Sequence, residues 1–214
     1  MFEQMVTLCA YSEESDVSIP LGHFLLNTKE QKYYEKSLQA WVEIVEEILG
    51  TKFNADSKIR TCVSDFERGL INAVEKVLKI PITGCFFHFC QALWREAGFK
   101  GLKQRSLIKE TKRLLLYLIL LCFCPLTQVS TMLEQIKEMF KYSDEAYKKF
   151  LKYFEETWMK SMGIEKWNYS LMRKDQLQLS TLKRTNNYLE GFHSAMSLKL
   201  GKVLLSFSKI SLTC

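Results

Sequence analysis

The stretch KIRTCVSDFERGLINAVEKVLKIPITGCFF, residues 58–87, decides the fold class. Its β-branched opening, residues 58–64, predicts a short strand, and the apolar spacing over residues 67–78 predicts an amphipathic helix. A second apolar run, residues 82–87, predicts another short strand. Strands that alternate with a helix in this way normally pair in parallel within a mixed sheet. We therefore expect an α/β fold.

The chain on the amino-terminal side of this stretch adds a hairpin and a helix. Residues 2–11 and 18–26 are rich in β-branched and aromatic side chains, and the acidic run EESD between them interrupts the pattern. These two segments predict a β-hairpin. Over residues 30–49 apolar side chains recur every three or four positions, and Gly50 follows as a stop. A helix is predicted there.

Beyond His88 the sequence becomes helical in character. Apolar side chains at helical spacing predict four helices, over residues 91–97, 102–123, 129–140 and 145–159. Residues 164–184 are polar, with Trp167 and Tyr169 as possible anchors. The tripeptide TNN at 185–187 is typical of a helix entry, and a last helix is expected to reach about residue 200.

Charge is distributed unevenly over the 214 residues, whose formal net charge is +6. Residues 1–56 carry 4 basic and 10 acidic side chains, whereas residues 98–214 carry 20 and 10. A basic second half suits a chain that meets a polyanion on one face. The longest apolar run, residues 114–124, is too short to span a membrane, and no signal segment opens the chain. We expect an intracellular protein that is not secreted and makes no membrane contact.

Two carboxylates are candidates for chemistry. Asp65 follows a predicted strand, which is where open α/β sheets commonly place functional groups, although an aspartate before a helix also serves as an N-cap. Glu67 would share its face if the strand continued through Phe66. Glu190, in TNNYLEGFH, lies on the first turns of the last predicted helix. Phosphodiester chemistry with two divalent ions needs about three carboxylates, so a third is missing.

Cys85 and His88 form a Cys-x-x-His pair, with Cys90 close behind. Zinc takes four ligands, and no second compact pair follows, which disfavours zinc and favours packed residues that hold a strand end to a helix. The scattered further candidates are Cys122, Cys124 and His193. A cysteine nucleophile is disfavoured because no third group orients the histidine. The seven cysteines show no disulfide spacing and are expected to be reduced thiols.

Residues 100–113, KGLKQRSLIKETKR, carry six basic side chains and one acidic side chain. The six are Lys100, Lys103, Arg105, Lys109, Lys112 and Arg113. Aromatic neighbours at 94, 99 and 117 could stack on unpaired bases, but their spacing favours packing against a helix. Together with the basic second half, this stretch predicts nucleic-acid binding.

Three segments together, IRTCVSDFERG (59–69), GCFFHFCQALWR (84–95) and TNNYLEGFH (185–193), resemble the transposase domain of Mutator-like elements. The resemblance implies an RNase H-like fold over residues 1–97, a helical insertion over 98–165 and a carboxyl-terminal return over 166–214. It also implies a nuclear, DNA-binding protein. In this family two aspartates and a glutamate bind Mg²⁺ or Mn²⁺ for DNA strand cleavage and joining. Asp65 matches the second aspartate, Glu190 matches the glutamate, and Cys85 and His88 match the family's Cys-x-x-His pair.

The chain departs from the family in its first strand. Residues 2–26 resemble the second and third strands, so the strand that carries the first aspartate is absent, and neither Asp16 nor Asp56 is a good substitute. Loss of one bridging ligand normally abolishes two-metal chemistry, so a catalytically incomplete domain is expected. The alternative is a non-enzymatic module that binds DNA or protein. The strand beside the missing one is expected to be an unpaired edge, which favours homo-oligomers.

Overall fold

The computed structural model describes residues 2–12, 17–53, 61–104, 108–141, 143–170 and 206–213. The chain divides into two compact units. The sheet unit comprises residues 1–85 and 183–214, and the helical unit comprises residues 86–182. The prediction of a mixed α/β protein is confirmed, and the described chain is mostly helical. Among the described residues, no helix combines the length and the apolar character needed to cross a bilayer.

The sheet unit contains five described strands and two described helices. They are β1 (Gln4–Ser12), β2 (Val17–Leu26), α1 (Gln31–Leu49), β3 (Thr61–Ser64), α2 (Arg68–Val77), β4 (Ile82–Gly84) and β5 (Ser206–Thr213). The predicted hairpin and both helices are confirmed. Gly50 ends α1 in the left-handed conformation, with φ +68°, as its position in the sequence predicts.

Strand order in the sheet is β2-β1-β5-β3-β4. The hairpin strands are antiparallel, β3 and β4 are parallel, and β5 is parallel to β1 but antiparallel to β3. The prediction that β1 is an unpaired edge is wrong, because β5 pairs with its other side over eight residue pairs from Gln4↔Ser206 to Tyr11↔Thr213. Periodicity in the sequence did not indicate β5.

One face of the sheet is covered by α1, which packs against α2. Gln4 on β1 bonds to Tyr34 on α1, and the Trp41 indole donates to the Leu21 carbonyl at 3.3 Å. A Cβ at Gly22 would lie 3.3 Å from the Trp41 ring, so glycine gives α1 its close approach to β2. Between the helices, the Lys76 ammonium lies 2.6 Å from the Glu35 carboxylate.

The helical unit contains four α-helices among its described residues. They are α3 (Phe86–Phe99), α4 (Ile108–Leu120), α5 (Leu126–Met139) and α6 (Glu145–Phe154), with short 3₁₀ turns at Leu121–Phe123 and Ile164–Lys166 and a π-helical stretch at Glu155–Met162. The strand predicted over 82–87 is three residues shorter, because α3 begins at Phe86. The helix predicted from residue 102 begins at Ile108 among the described residues.

Aromatic side chains form the core of the helical unit. Trp167 is fully buried, stacks on Phe89 at 5.4 Å between ring centroids and meets Phe154 edge-on at 5.7 Å. Its indole donates to the Trp158 carbonyl at 2.9 Å. The neighbouring Asn168 amide donates to the carbonyls of residues 121 and 124. Trp167 and Tyr169 are therefore the anchors that their place in a polar segment suggested.

Candidate functional site

The candidate site of the sheet unit lies where β3 and β4 end. Because these strands are parallel, their carboxyl ends meet at one edge, where the Cys85 amide donates to the Ser64 carbonyl at 2.7 Å. Asp65 follows β3 directly, and it is half-buried. The amino-terminal end of β1 reaches the same edge, since β1 runs parallel to β5 and β5 runs antiparallel to β3. We call this group of residues, Gln4, Tyr34, Asp65 and Glu67, the Asp65 edge.

Three side chains of the Asp65 edge are hydrogen-bonded to each other. The Gln4 amide donates to Glu67 Oε2 at 3.1 Å, and the Tyr34 hydroxyl contacts Glu67 Oε1. The same hydroxyl lies 2.6 Å from Gln4 Oε1. Gln4 and Tyr34 are buried, so these bonds satisfy polar groups that would otherwise be costly inside the protein. The cluster joins β1, α1 and the start of α2.

This cluster gives Glu67 a structural role. Each carboxylate oxygen of Glu67 accepts a hydrogen bond from a protein group, and these bonds join the start of α2 to β1 and α1. Burial, followed by the hydrogen bond and charge of Glu67, raises the pKa of the Tyr34 hydroxyl well above its ordinary value. Tyr34 therefore stays protonated and serves as a hydrogen-bond donor.

The backbone of the edge is tightly packed around Phe66. A Cβ at Gly84 would lie 2.1 Å from the Phe66 ring, so only glycine fits at the end of β4. The Ser64 hydroxyl donates to the Asp65 carbonyl at 2.9 Å, which holds the turn after β3. The position of Asp65 is thus fixed by neighbours on both sides.

The alternative role for Asp65 as an N-cap is wrong, because α2 begins at Arg68 and the residue in the N-cap position is Glu67. The condition under which Asp65 and Glu67 would share a strand face is not met, since β3 ends at Ser64. Glu190 lies outside the described residues. Within the described ranges, no group of three histidine, cysteine, aspartate or glutamate side chains is arranged to hold a metal ion.

The Cys-x-x-His pair is split between the units. Cys85 is fully buried and is the last residue of the first part of the sheet unit, whereas His88 lies in the first turn of α3, in the helical unit. The six cysteines in the described ranges form no disulfide bond with one another. Burial raises the pKa of the Cys9 thiol to about 11, which keeps it protonated and unreactive at neutral pH.

The basic set lies in the helical unit, and its members differ in their contacts. Lys100 pairs with Glu96 at 3.1 Å, and Arg113 pairs with Glu110 at 2.8 Å. Lys103 lies over the Trp94 ring, with its ammonium 4.6 Å from the ring centroid. Lys109 and Lys112 are exposed on α4 with no ion pair among the described residues, and Arg105 lies outside them. Lys109 and Lys112 are therefore the strongest candidates for phosphate contacts.

The expectation that the aromatic neighbours pack against a helix is wrong for two of the three. Trp94 is 40% exposed and Phe99 is 75% exposed, whereas Tyr117 is half-buried. Trp94 lies on the side of α3 away from the buried positions Phe89 and Leu93, and Phe99 is the last residue of the helix.

Two residues of the Asp65 edge were not identified from the sequence. Gln4 stands in an otherwise apolar strand, and this polar interruption was the available signal. Tyr34 gave none, because it occupies an apolar position of a helical pattern and only the fold brings its hydroxyl to Glu67.

No protein-family model, curated protein or solved structure gives a significant match to this chain. The resemblance to the transposases of Mutator-like elements therefore stays a prediction from the three motifs.

Proposed function

We propose that this chain is a transposase-derived, RNase H-like domain that binds DNA in the nucleus and does not cleave it. The observation that carries the proposal is the place of β5. The resemblance identifies β1 as the second strand of the fold, so the first strand belongs beside β1 on the side away from β2. In the sheet, β5 occupies that position.

The composition of β5 supports the loss of activity. The strand, SFSKISLT, contains no aspartate or glutamate, so it supplies no equivalent of the family's first aspartate. Ile210 pairs with both Leu8 and Ser64, so the strand lies between β1 and β3.

The described part of the Asp65 edge contains two carboxylates, fewer than the three that a two-metal site uses. Asp65 is the matched aspartate, and Glu67 is held by Gln4 and Tyr34. By resemblance Glu190 would be the other ligand of Mg²⁺ or Mn²⁺. Only Asp65 and Glu190 match the family's three metal-binding carboxylates, which is one short of the set that two-metal phosphodiester chemistry uses, so we derive no cleavage step for this chain.

A cleavage assay tests the loss of activity. The purified chain is incubated with a labelled duplex and Mn²⁺, beside the Asp65→Ala variant as a matched control. We expect equal and negligible nicking by both proteins. Metal-dependent nicking by the unchanged chain, if it is absent from the Asp65→Ala variant, would overturn the proposal that this chain does not cleave DNA.

Measuring affinity for duplex DNA at a series of salt concentrations tests whether DNA is the partner. The two exposed lysines of α4 are replaced in Lys109→Gln/Lys112→Gln, and the control is Lys36→Gln/Lys149→Gln, which removes the same charge from exposed sites on α1 and α6. Two lost phosphate contacts lower the slope of log affinity against log salt by about 1.8. The control is expected to keep the slope.

A protein-binding module is the second candidate. Its motivation is the apolar continuation of the same helix surface, where Leu116 is 54% exposed and Leu120 is 49% exposed. Absence of DNA binding at low salt, or affinity that does not change with salt, would contradict the DNA-binding proposal and favour a protein partner.

A further inference from the structure

The outer surface of α3 carries aromatic and basic side chains together. Phe87 and Trp94 are 41% and 40% exposed, and they lie seven residues apart, so both face the same side of the helix. Gln91 and Arg95, also exposed, lie between and beside them. We call Phe87, Gln91, Trp94, Arg95 and the adjoining Lys103 the α3 outer face.

The α3 outer face and the buried side of the same helix consist of different residues. The buried residues of α3 are Phe89, Leu93 and Ala97, which belong to the core of the helical unit. Phe87 and Trp94 are therefore not needed to fill that core. Large aromatic side chains that stay exposed beside cations are typical of surfaces that bind single-stranded nucleic acids.

The contact between Lys103 and Trp94 shows how a cation is positioned at this surface. The Lys103 ammonium lies 4.6 Å from the Trp94 ring centroid, within the range of a cation–π contact. The lysine side chain lies along Gly98, where a Cβ would come within 3.1 Å of Lys103 Nζ. The missing side chain at residue 98 leaves room for the lysine beside the indole.

We propose that the α3 outer face binds single-stranded nucleic acid, with unpaired bases stacked on Trp94 and Phe87 and phosphates bound by Lys103 and Arg95. The proposal rests on the proposed function and adds unpaired strands, bound at a separate surface, to its nucleic-acid ligands. Phe87 and Trp94 are two helical turns apart, about 10.5 Å, so each ring receives a different base.

A base that stacks on Trp94 has to replace the Lys103 ammonium, and the relative strength of the two contacts favours this replacement. An exposed cation–π contact is weaker than the stacking of a base on an aromatic ring. A base can therefore replace the Lys103 ammonium over the indole, and the flexible lysine then reaches the adjacent phosphate. In the free protein, the contact with Trp94 keeps the Lys103 ammonium close to the expected position of the nucleic-acid backbone.

Charge and shape favour an unpaired strand over a duplex or a protein. The bases of a duplex are stacked inside the helix and do not reach a flat aromatic ring on a protein surface. The acidic residue of this helix, Glu96, pairs with Lys100 at 3.1 Å, and it lies about half a turn away from Phe87 and Trp94. The α3 outer face itself contains no acidic side chain.

Tryptophan fluorescence provides a direct test. The chain has four tryptophans, of which Trp41, Trp158 and Trp167 are buried and Trp94 is exposed. Stacking of a base on Trp94 is expected to quench emission and to protect it from acrylamide when oligothymidylate is added. A Trp94→Ala variant is expected to lose this response and to bind oligothymidylate about tenfold more weakly. Trp94→Phe, which keeps a ring, is expected to recover most of the affinity.

The controls separate this inference from the proposed function. Ile48→Ala truncates an apolar side chain of α1 that is 75% exposed, and it should bind oligothymidylate as the unchanged chain does. Binding of a hairpin duplex should be unaffected by Trp94→Ala and weakened by Lys109→Gln/Lys112→Gln. Duplex binding without any change in Trp94 emission on adding oligothymidylate would overturn this inference alone. Failure to bind either nucleic acid at low salt would overturn both.

Discussion

The contacts inside the two units differ in how far apart in the sequence their residues lie. In the helical unit, ion pairs such as Arg113 with Glu110 and Lys141 with Glu138 join residues three positions apart. In the sheet unit, Gln4 bonds to a residue 63 positions away, and β1 pairs with β5 near the other end of the chain. Local sequence patterns therefore predicted the helices and the β1–β2 hairpin, whereas the pairing of β5 with β1 joins segments that no local pattern connects.

The largest expected effect is the loss of the central aromatic side chain of the helical unit. Trp167→Ala removes a fully buried ring that stacks on Phe89, and we expect it to lower the free energy of unfolding by about 3–5 kcal/mol. Urea denaturation followed by near-ultraviolet circular dichroism measures the change. The matched control is Trp94→Ala, at an exposed site, where a loss under about 1 kcal/mol is expected. Equal losses would contradict the aromatic core described above.

The next effect tests whether β5 holds the sheet unit together. Ile210 is fully buried between β1 and β3, so Ile210→Ala is expected to cost about 2–5 kcal/mol. Hydrogen exchange should show faster exchange of the β1 amides as well as those of β5. Ile19→Ala, in the edge strand β2 and 52% exposed, is the control and should stay within about 0.5 kcal/mol. An Ile210→Ala variant with an unchanged free energy of unfolding would contradict the position of β5 between β1 and β3.

A smaller effect concerns the Asp65 edge. Tyr34→Phe removes the hydroxyl that bonds to Glu67 and Gln4, and we expect a loss of about 1–2 kcal/mol in urea denaturation. Tyr33→Phe, at an exposed neighbour, should leave the free energy of unfolding unchanged.

The raised pKa of Tyr34 also predicts that stability depends on pH. Because its pKa is raised in the folded state, its contribution is complete below its ordinary value of 10.0 and is lost as the pH rises above it. Tyr34→Phe should flatten this alkaline decline.

The smallest effect concerns the contact between α1 and α2. Lys76 lowers the pKa of Glu35 more than any other neighbour does, so the carboxylate stabilises the folded state above its ordinary pKa of 4.5, and this contribution is lost as the pH falls below that value. Glu35→Gln should therefore lower Tm slightly at neutral pH and have no effect in acid. Glu43→Gln, at an exposed site on the same helix, serves as the control. Because exposed ion pairs are screened by solvent, high salt should reduce the Glu35 effect.

The candidate site was predicted in part. Asp65 was identified from its place after a strand, and the structure puts it at the sheet edge where β3 and β4 end. The hydrogen bonds that engage Glu67 could not be predicted, because they require Gln4 and Tyr34 to arrive from β1 and α1. Among the basic residues, Lys100 and Arg113 have carboxylate partners four and three positions away in the sequence, whereas Lys109 and Lys112 are exposed.

The sequence by itself determined the local elements. Apolar spacing predicted α1, α2 and the helices of the second unit, and Gly50 marked the end of α1, because these features depend on residues within a few positions of each other.

The tertiary structure alone decided which strand lies beside β1 and which tryptophans are exposed. Trp94 and Trp167 are the same residue type, yet one is exposed beside Lys103 and the other fills a core. The physical reason is that burial and strand pairing depend on segments distant in sequence, and their arrangement follows from packing the whole unit.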